Sequence, residues 1–314
     1  MSASGGTRAI VAALAANLGI AVSKFVAFAF TGSTSMAAEG VHSLADSGNQ
    51  VLLLVGGRRS LREPDEEHPF GYGRTRYVYA FVVSVVLFSV GGLFAVYEGV
   101  HKVLHPESLT SPAWAIGVLL VAIVLESFSL RTAVGESNHV RGGKPWLTFV
   151  RHAKSPELPV VLLEDTGALV GLGLALVGVS LAALTDNGRW DGLGSLCIGL
   201  LLICIAVFLA LEMTSLLIGE AALPDEVAAI RAALEGTPEV ERVIHLRTLH
   251  IGPDEILVGA KIAVAHDDTA AAVARAIDAA ELRVRAAVPT ATRIYLEPDI
   301  DRGAGRDRDE EAAK

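Results

Sequence analysis

Cysteine is nearly absent: two occur in 314 residues, Cys197 and Cys204, both inside one apolar run. A disulfide framework is therefore excluded, and each reads as a small hydrophobe packed in the interior. Charge is scarce as well, at 19% of residues, and the formal net charge is −9. A basic footprint is missing, which argues against a nucleic-acid partner. No HExxH stretch occurs, so a metalloenzyme built on that helix motif is disfavoured. The first apolar run follows a single Arg8 and shows no small-residue cleavage motif. It reads as a membrane helix and not as a removable leader.

What is present is apolar surface. The chain is 52% hydrophobic, with a mean hydropathy of +0.48, a profile of a membrane protein with a soluble tail. A bilayer needs about 20 apolar residues of helix. Stretches near 9–31, 34–57, 76–103, 112–135, 158–184 and 192–218 meet that length, which predicts six transmembrane helices. A three-residue link, GST, makes the first two a tight antiparallel hairpin. Arg58, Arg59, Arg62, Arg74 and Arg76 fall between the second and third stretches. Arg141, Lys144, Arg151 and Lys154 fall between the fourth and fifth. Basic loops mark the cytoplasmic face, so both termini are expected there, and a bacterial inner membrane is the expected setting.

From Pro224 the pattern changes. PDEVAAIRAALEG is an amphipathic helix opened by Pro and acids and closed by Gly. VERVIHLRTLHIG and EILVGAKIAV alternate as strands around a GPDE turn. A second helix and a strand at TRIYLEP complete an αββαβ order, a small cytosolic α+β domain of ferredoxin-like type. The expected divisions are 1–219 for transport, 220–300 for the tail domain and 301–314 for a charged, disordered end.

Chemistry enters with SMAAEGVHSLADSGNQ. Glu39, His42, Asp46 and Asn49 are spaced i, i+3, i+7 and i+10, one stripe of a helix that is otherwise apolar. An ionisable group at bilayer depth costs about 2.5–3.5 kcal/mol on insertion scales. His42 and Asp46, one turn apart, offer an imidazole nitrogen and a carboxylate to one divalent cation. A hydrogen-bonded pair joining helices is the competing reading. Asp165 lies at similar depth in the fifth stretch, in PVVLLEDTGALVG, which favours convergence on one centre. Glu164 points about 100° away from it around the helix, toward a neighbouring helix, the same cavity or a proton path. Glu39 sits one turn nearer the external end, on an approach path.

SKFVAFAFTGSTSMAAEGVHSLADSGNQ, HPFGYGRTRY and the tail HIGPDEILVGAKI…IYLEPD together resemble the cation diffusion facilitators, over nearly the whole chain. VLLEDTGAL resembles the branch that includes a mitochondrial zinc-transporter relative. The resemblance implies a homodimeric exporter of zinc or another divalent cation, working by proton exchange in a lipid membrane, with no organic cofactor. It implies metal binding by His42, Asp46 and Asp165. The histidine that the family carries four residues before this aspartate is Val161 here, so Glu164, Asn49 or water must complete the shell. An oxygen-rich shell admits Mn²⁺, Fe²⁺ or Co²⁺ beside Zn²⁺. Asp65 and His68 match two ligands of a second, loop site, where Tyr72 stands for a histidine. Lys261, Tyr295 and Leu296 stand where the tail would need ligands, so a tail metal cluster is not expected. The tail is expected to dimerise, and Arg74 to pair with Glu220. A metal sensor without flux and an intramembrane metalloenzyme are the alternatives.

Overall fold

The computed structural model describes residues 2–31, 34–106 and 112–300, with side chains at all of these except 2–5, 31, 34–39, 41, 42 and 45. Gly32 and Ser33 of the GST link and the charged end at 301–314 lie outside them. Two units emerge: residues 1–63 with 75–214, and residues 64–74 with 215–314.

The first unit is helical. Its elements are α1 (Ser2–Thr31), α2 (Thr34–Arg59), α3 (Thr75–Val86), a π-helical turn (Leu87–Leu93), α4 (Phe94–Leu104), α5 (Pro112–Arg141), the short α6 (Trp146–His152), α7 (Glu157–Thr185) and α8 (Arg189–Ile218). Among the described residues, five helical stretches are long and apolar enough to cross a membrane: Gly6–Phe30, Thr75–Leu104, Pro112–Arg141, Glu157–Thr185 and Arg189–Ile218. The sixth expected span, α2, has 26 residues, a bilayer's length, but its polar stripe dilutes its apolar content. Local signals set the ends. Proline opens α5, where a missing N–H costs nothing. Asp186 closes α7 in the left-handed region at φ 51°, a conformation that Asp tolerates better than most residues.

Helices α1, α2, α5 and α7 pack into one group, with α1 against the other three and α5 against α7. The α4 and α8 backbones approach through glycines. A Cβ on Gly99 would lie 2.5 Å from the Leu196 nitrogen, and one on Gly192 would lie 2.8 Å from the Val103 nitrogen. Only glycine permits that approach, as at close membrane crossings. The π turn lies in the same stretch, with Gly92 against Ile203.

The expected interior packing of the two cysteines is corrected here. Cys197 and Cys204 are exposed on α8, alongside exposed Leu200 and Leu211. An apolar helix face need not be covered by protein where lipid is its solvent, so an apolar run carries no signal for which side is inside.

The second unit follows the predicted αββαβ order: α9 (Pro224–Glu235), β1 (Arg242–Gly252), β2 (Glu255–Ala263), α10 (Ala270–Ala287) and β3 (Ala291–Asp299). β1 pairs antiparallel with β2 through a tight turn, while β2 pairs parallel with β3. A parallel pair needs a crossover, which α10 supplies. Thr269 caps α10 by accepting from the Ala272 N–H at 3.2 Å. Glu226 caps α9 by accepting from the Leu223 N–H at 2.9 Å. Ile230, Leu234, Ile256, Val258, Ile262 and Val284 form the core between sheet and helices.

Candidate cation site in the membrane-spanning unit

Helices α2, α5 and α7 each carry acid into the apolar interior. Asp46 on α2, Glu126 on α5 and Glu164 on α7 line one cavity of about 270 Å³. Glu126 is 2% exposed, Glu164 7% and Asp165 1%. Helix packing brings them together. Asp46 and Asn49 share a face of α2, and α7 packs against α1 and α5 from within the same group.

Hydrogen bonds hold these groups in place. Glu164 accepts from both α2 amides: Asn49 Nδ2 donates to its Oε1 at 3.2 Å, and Gln50 Nε2 to its Oε2 at 3.0 Å. Asp165 Oδ2 accepts from the Ser129 hydroxyl at 2.7 Å, and its carboxyl lies beside that of Glu126. Asn49 is buried, and its Oδ1 has no hydrogen-bond partner among the described residues. Lone acceptors of that kind are rare in folded proteins. Near the other end of the same cavity, Lys102 Nζ lies 2.9 Å from Glu98 and 3.0 Å from Asp191.

The expected residues therefore separate into groups. Asp46, Asn49, Glu164 and Asp165 come together across α2 and α7. Glu164 faces the cavity and the α2 amides, one of the three directions left open for it. The side chain of His42 is outside the described set, as is that of Glu39. Among the described residues, no three His, Cys, Asp or Glu side chains stand as a ready metal cluster. Val161 is fully buried. Asp65 and His68 meet each other in the loop of the second unit. There Asp65 accepts from the His68 N–H at 2.7 Å and from the Tyr72 hydroxyl at 2.6 Å, so both its oxygens are engaged.

The sequence reading missed Glu126, Gln50 and Ser129. The signal for Glu126 was available: it is an acid in the apolar run VAIVLESFSL, the same anomaly that marked Asp165. Gln50 and Ser129 carry no charge, and only the helix packing reveals them.

Chemically, four carboxylates and an amide oxygen are a hard, oxygen-rich donor set for a divalent cation. The cation efflux transmembrane domain matches residues 10–218, and the cytoplasmic domain of cation efflux proteins matches residues 222–299. This chain belongs to the cation efflux, or cation diffusion facilitator, family. The family is one of transporters, not enzymes. A Homo sapiens relative named proton-coupled zinc antiporter SLC30A9, mitochondrial, is 34% identical over 241 residues, covering 76% of this chain and 42% of the relative. Metal tolerance protein C4 of Arabidopsis thaliana is 28% identical over 257 residues, covering 81% of this chain and 56% of the relative. Cation-efflux pump FieF of Pectobacterium atrosepticum is 29% identical over 253 residues, covering 80% and 79%. This cation efflux chain thus spans less than half the length of the mitochondrial relatives it matches.

Proposed function

We propose that this chain exports a divalent metal cation from the cytoplasm in exchange for protons, by alternating access around the cavity between α2, α5 and α7. The observation that carries the reading is the convergence of Asp46, Glu126 and Glu164 on one cavity inside the membrane-spanning unit, with Asp165 beside them. Zinc is the first candidate cargo, because one similar protein is named a zinc antiporter. Manganese, iron and cobalt follow, because the donors are mostly oxygen. His42 and Asp46 from α2 and Asp165 from α7 bind the ion, and Glu164 and Asn49 fill the shell where Val161 offers no imidazole. Proton exchange follows from the ligands, since carboxylates must be ionised and histidine neutral to hold metal. The tail domain pairs two copies, both termini lie in the cytoplasm, and Asp65 with His68 forms at most a weak loop site.

Flux into proteoliposomes tests this, with Zn²⁺, Mn²⁺, Fe²⁺, Co²⁺ and Cd²⁺ supplied in turn under an imposed proton gradient. Asp46→Ala and Asp165→Ala are expected to abolish flux while the protein stays folded and dimeric. Wild-type flux in either variant would sink the site assignment. Binding of the ions with no flux in the wild type would favour a sensor.

A further inference from the structure

Glu126 is the acid that the α2–α7 site leaves without a role. It lies in an apolar stretch of α5 and is 2% exposed, a placement that is costly unless something compensates its charge. It lies beside another acid, Asp165. Two carboxyl groups at that range need positive charge beside them, from a proton, a metal ion or a basic side chain such as the buried Lys24 of the same cavity. Glu126 shares the cavity with Asp46 and Glu164, so a cation bound there lies within reach of all three helices. The buried Oδ1 of Asn49, without a hydrogen-bond partner among the described residues, is a second oxygen suited to a cation. That oxygen belongs to the amide whose nitrogen already bonds Glu164.

We infer that Glu126 is a direct ligand of the transported cation, delivered from α5 in place of the donor that Val161 on α7 does not supply. The inference rests on the transport reading above. The shell then draws on α2, α5 and α7, not on α2 and α7 alone. Ser129, one turn further along α5, fixes the neighbouring Asp165 through its hydroxyl, so one helix both holds one ligand and supplies another. A carboxylate in place of an imidazole makes the shell harder. It moves preference from zinc toward manganese.

The test compares the wild type with Glu126→Gln and Glu126→Asp in the full chain, by calorimetry with Zn²⁺ and Mn²⁺ and by flux in proteoliposomes. Losing a group that only orients a ligand costs about 10–100-fold in affinity. Glu126→Gln should exceed that and abolish flux, whereas Glu126→Asp should keep part of both. Affinity within about a hundredfold of wild type in Glu126→Gln overturns the assignment. A Glu126→Gln protein that does not fold is bypassed by a wild-type experiment, in which a hydrophobic carbodiimide labels buried carboxyls and mass spectrometry reads the adduct on Glu126. Saturating Zn²⁺ or Mn²⁺ should suppress that adduct, and unchanged labelling overturns the inference. A wild type that binds ions but moves none sinks the transport reading alone, because the affinity comparison still decides Glu126.

Discussion

Arg76 at the start of α3 and Glu157 at the start of α7 form an ion pair whose side chains are only 10% and 6% exposed. α7 belongs to the four-helix group and meets α8 through Gly171 and Gly178, while α3 packs on α2 and continues through the π turn into α4. The pair therefore ties the start of α3 to the start of α7 at the end where the basic loops lie. Glu157 Oε2 is buried with no hydrogen-bond partner among the described residues, so the carboxylate depends on its arginine. Removing one member of such a pair costs about 3–5 kcal/mol, whereas replacing both by apolar residues is often neutral. Arg76→Ala should lower the thermal unfolding midpoint in detergent, and Arg76→Met with Glu157→Met should restore much of it. If helix groups rock during transport, the restored double variant should also show altered flux. Equal midpoints for Arg76→Ala and wild type would mean that the pair does not fasten the helices.

Metal binding should release protons, and affinity should fall as pH falls. The sign follows from competition: a cation and protons seek the same oxygens of Asp46, Glu126, Glu164 and Asp165. Calorimetry in buffers of different ionisation enthalpy measures the release directly. Identical heats across buffers would mean that no net proton leaves, and proton exchange would lose its physical basis.

The stripe of α2 was legible because it is a property of one helix: spacing alone puts Asp46 and Asn49 on one face. The αββαβ tail was legible for the same reason, since alternation, a turn and two capped helices are local signals. The placement of Glu126 beside Asp165 was not. It depends on which face of α5 meets α7, a long-range choice that helical period does not encode. The exposure of Cys197 and Cys204 was hidden by the same limit, because lipid and protein interior make equal demands on an apolar residue.

Val161→His should raise preference for zinc over manganese. Position 161 is one turn before Asp165, so a side chain there shares its helix face. An imidazole would add the nitrogen donor that zinc favours. The site is fully buried, and overpacking costs about 1–3 kcal/mol, so a lower unfolding midpoint should accompany the gain. An unchanged ratio of zinc to manganese affinity in a folded variant would show that position 161 does not reach the ion.

In the tail, Lys261 holds the position where the resemblance calls for a metal ligand. Its ammonium lies 2.8 Å from Asp299 and 3.4 Å from Glu297, so a fixed side-chain cation sits where a metal ion would need to sit. The hydrogen bond to Asp299, foremost, holds the ammonium charged above the ordinary lysine range. Its contribution is therefore complete below about pH 10.4 and is lost only as pH rises through the higher folded value. With Lys261 15% and Asp299 20% exposed, the pair is partly screened and contributes about 1 kcal/mol. His245 is the direct cross-strand partner of Lys261 on β1, and Glu297 its partner on β3. Lys261→His would thus remove the competing charge and set two imidazoles opposite each other beside Asp299, three donors of the kinds zinc accepts. Calorimetry on the full chain carrying Asp46→Ala and Asp165→Ala, which disable the membrane site, should find no tight zinc binding with Lys261 in place. Adding Lys261→His should create one site. Zinc binding of equal strength before and after that substitution would mean that Lys261 does not occupy a metal position.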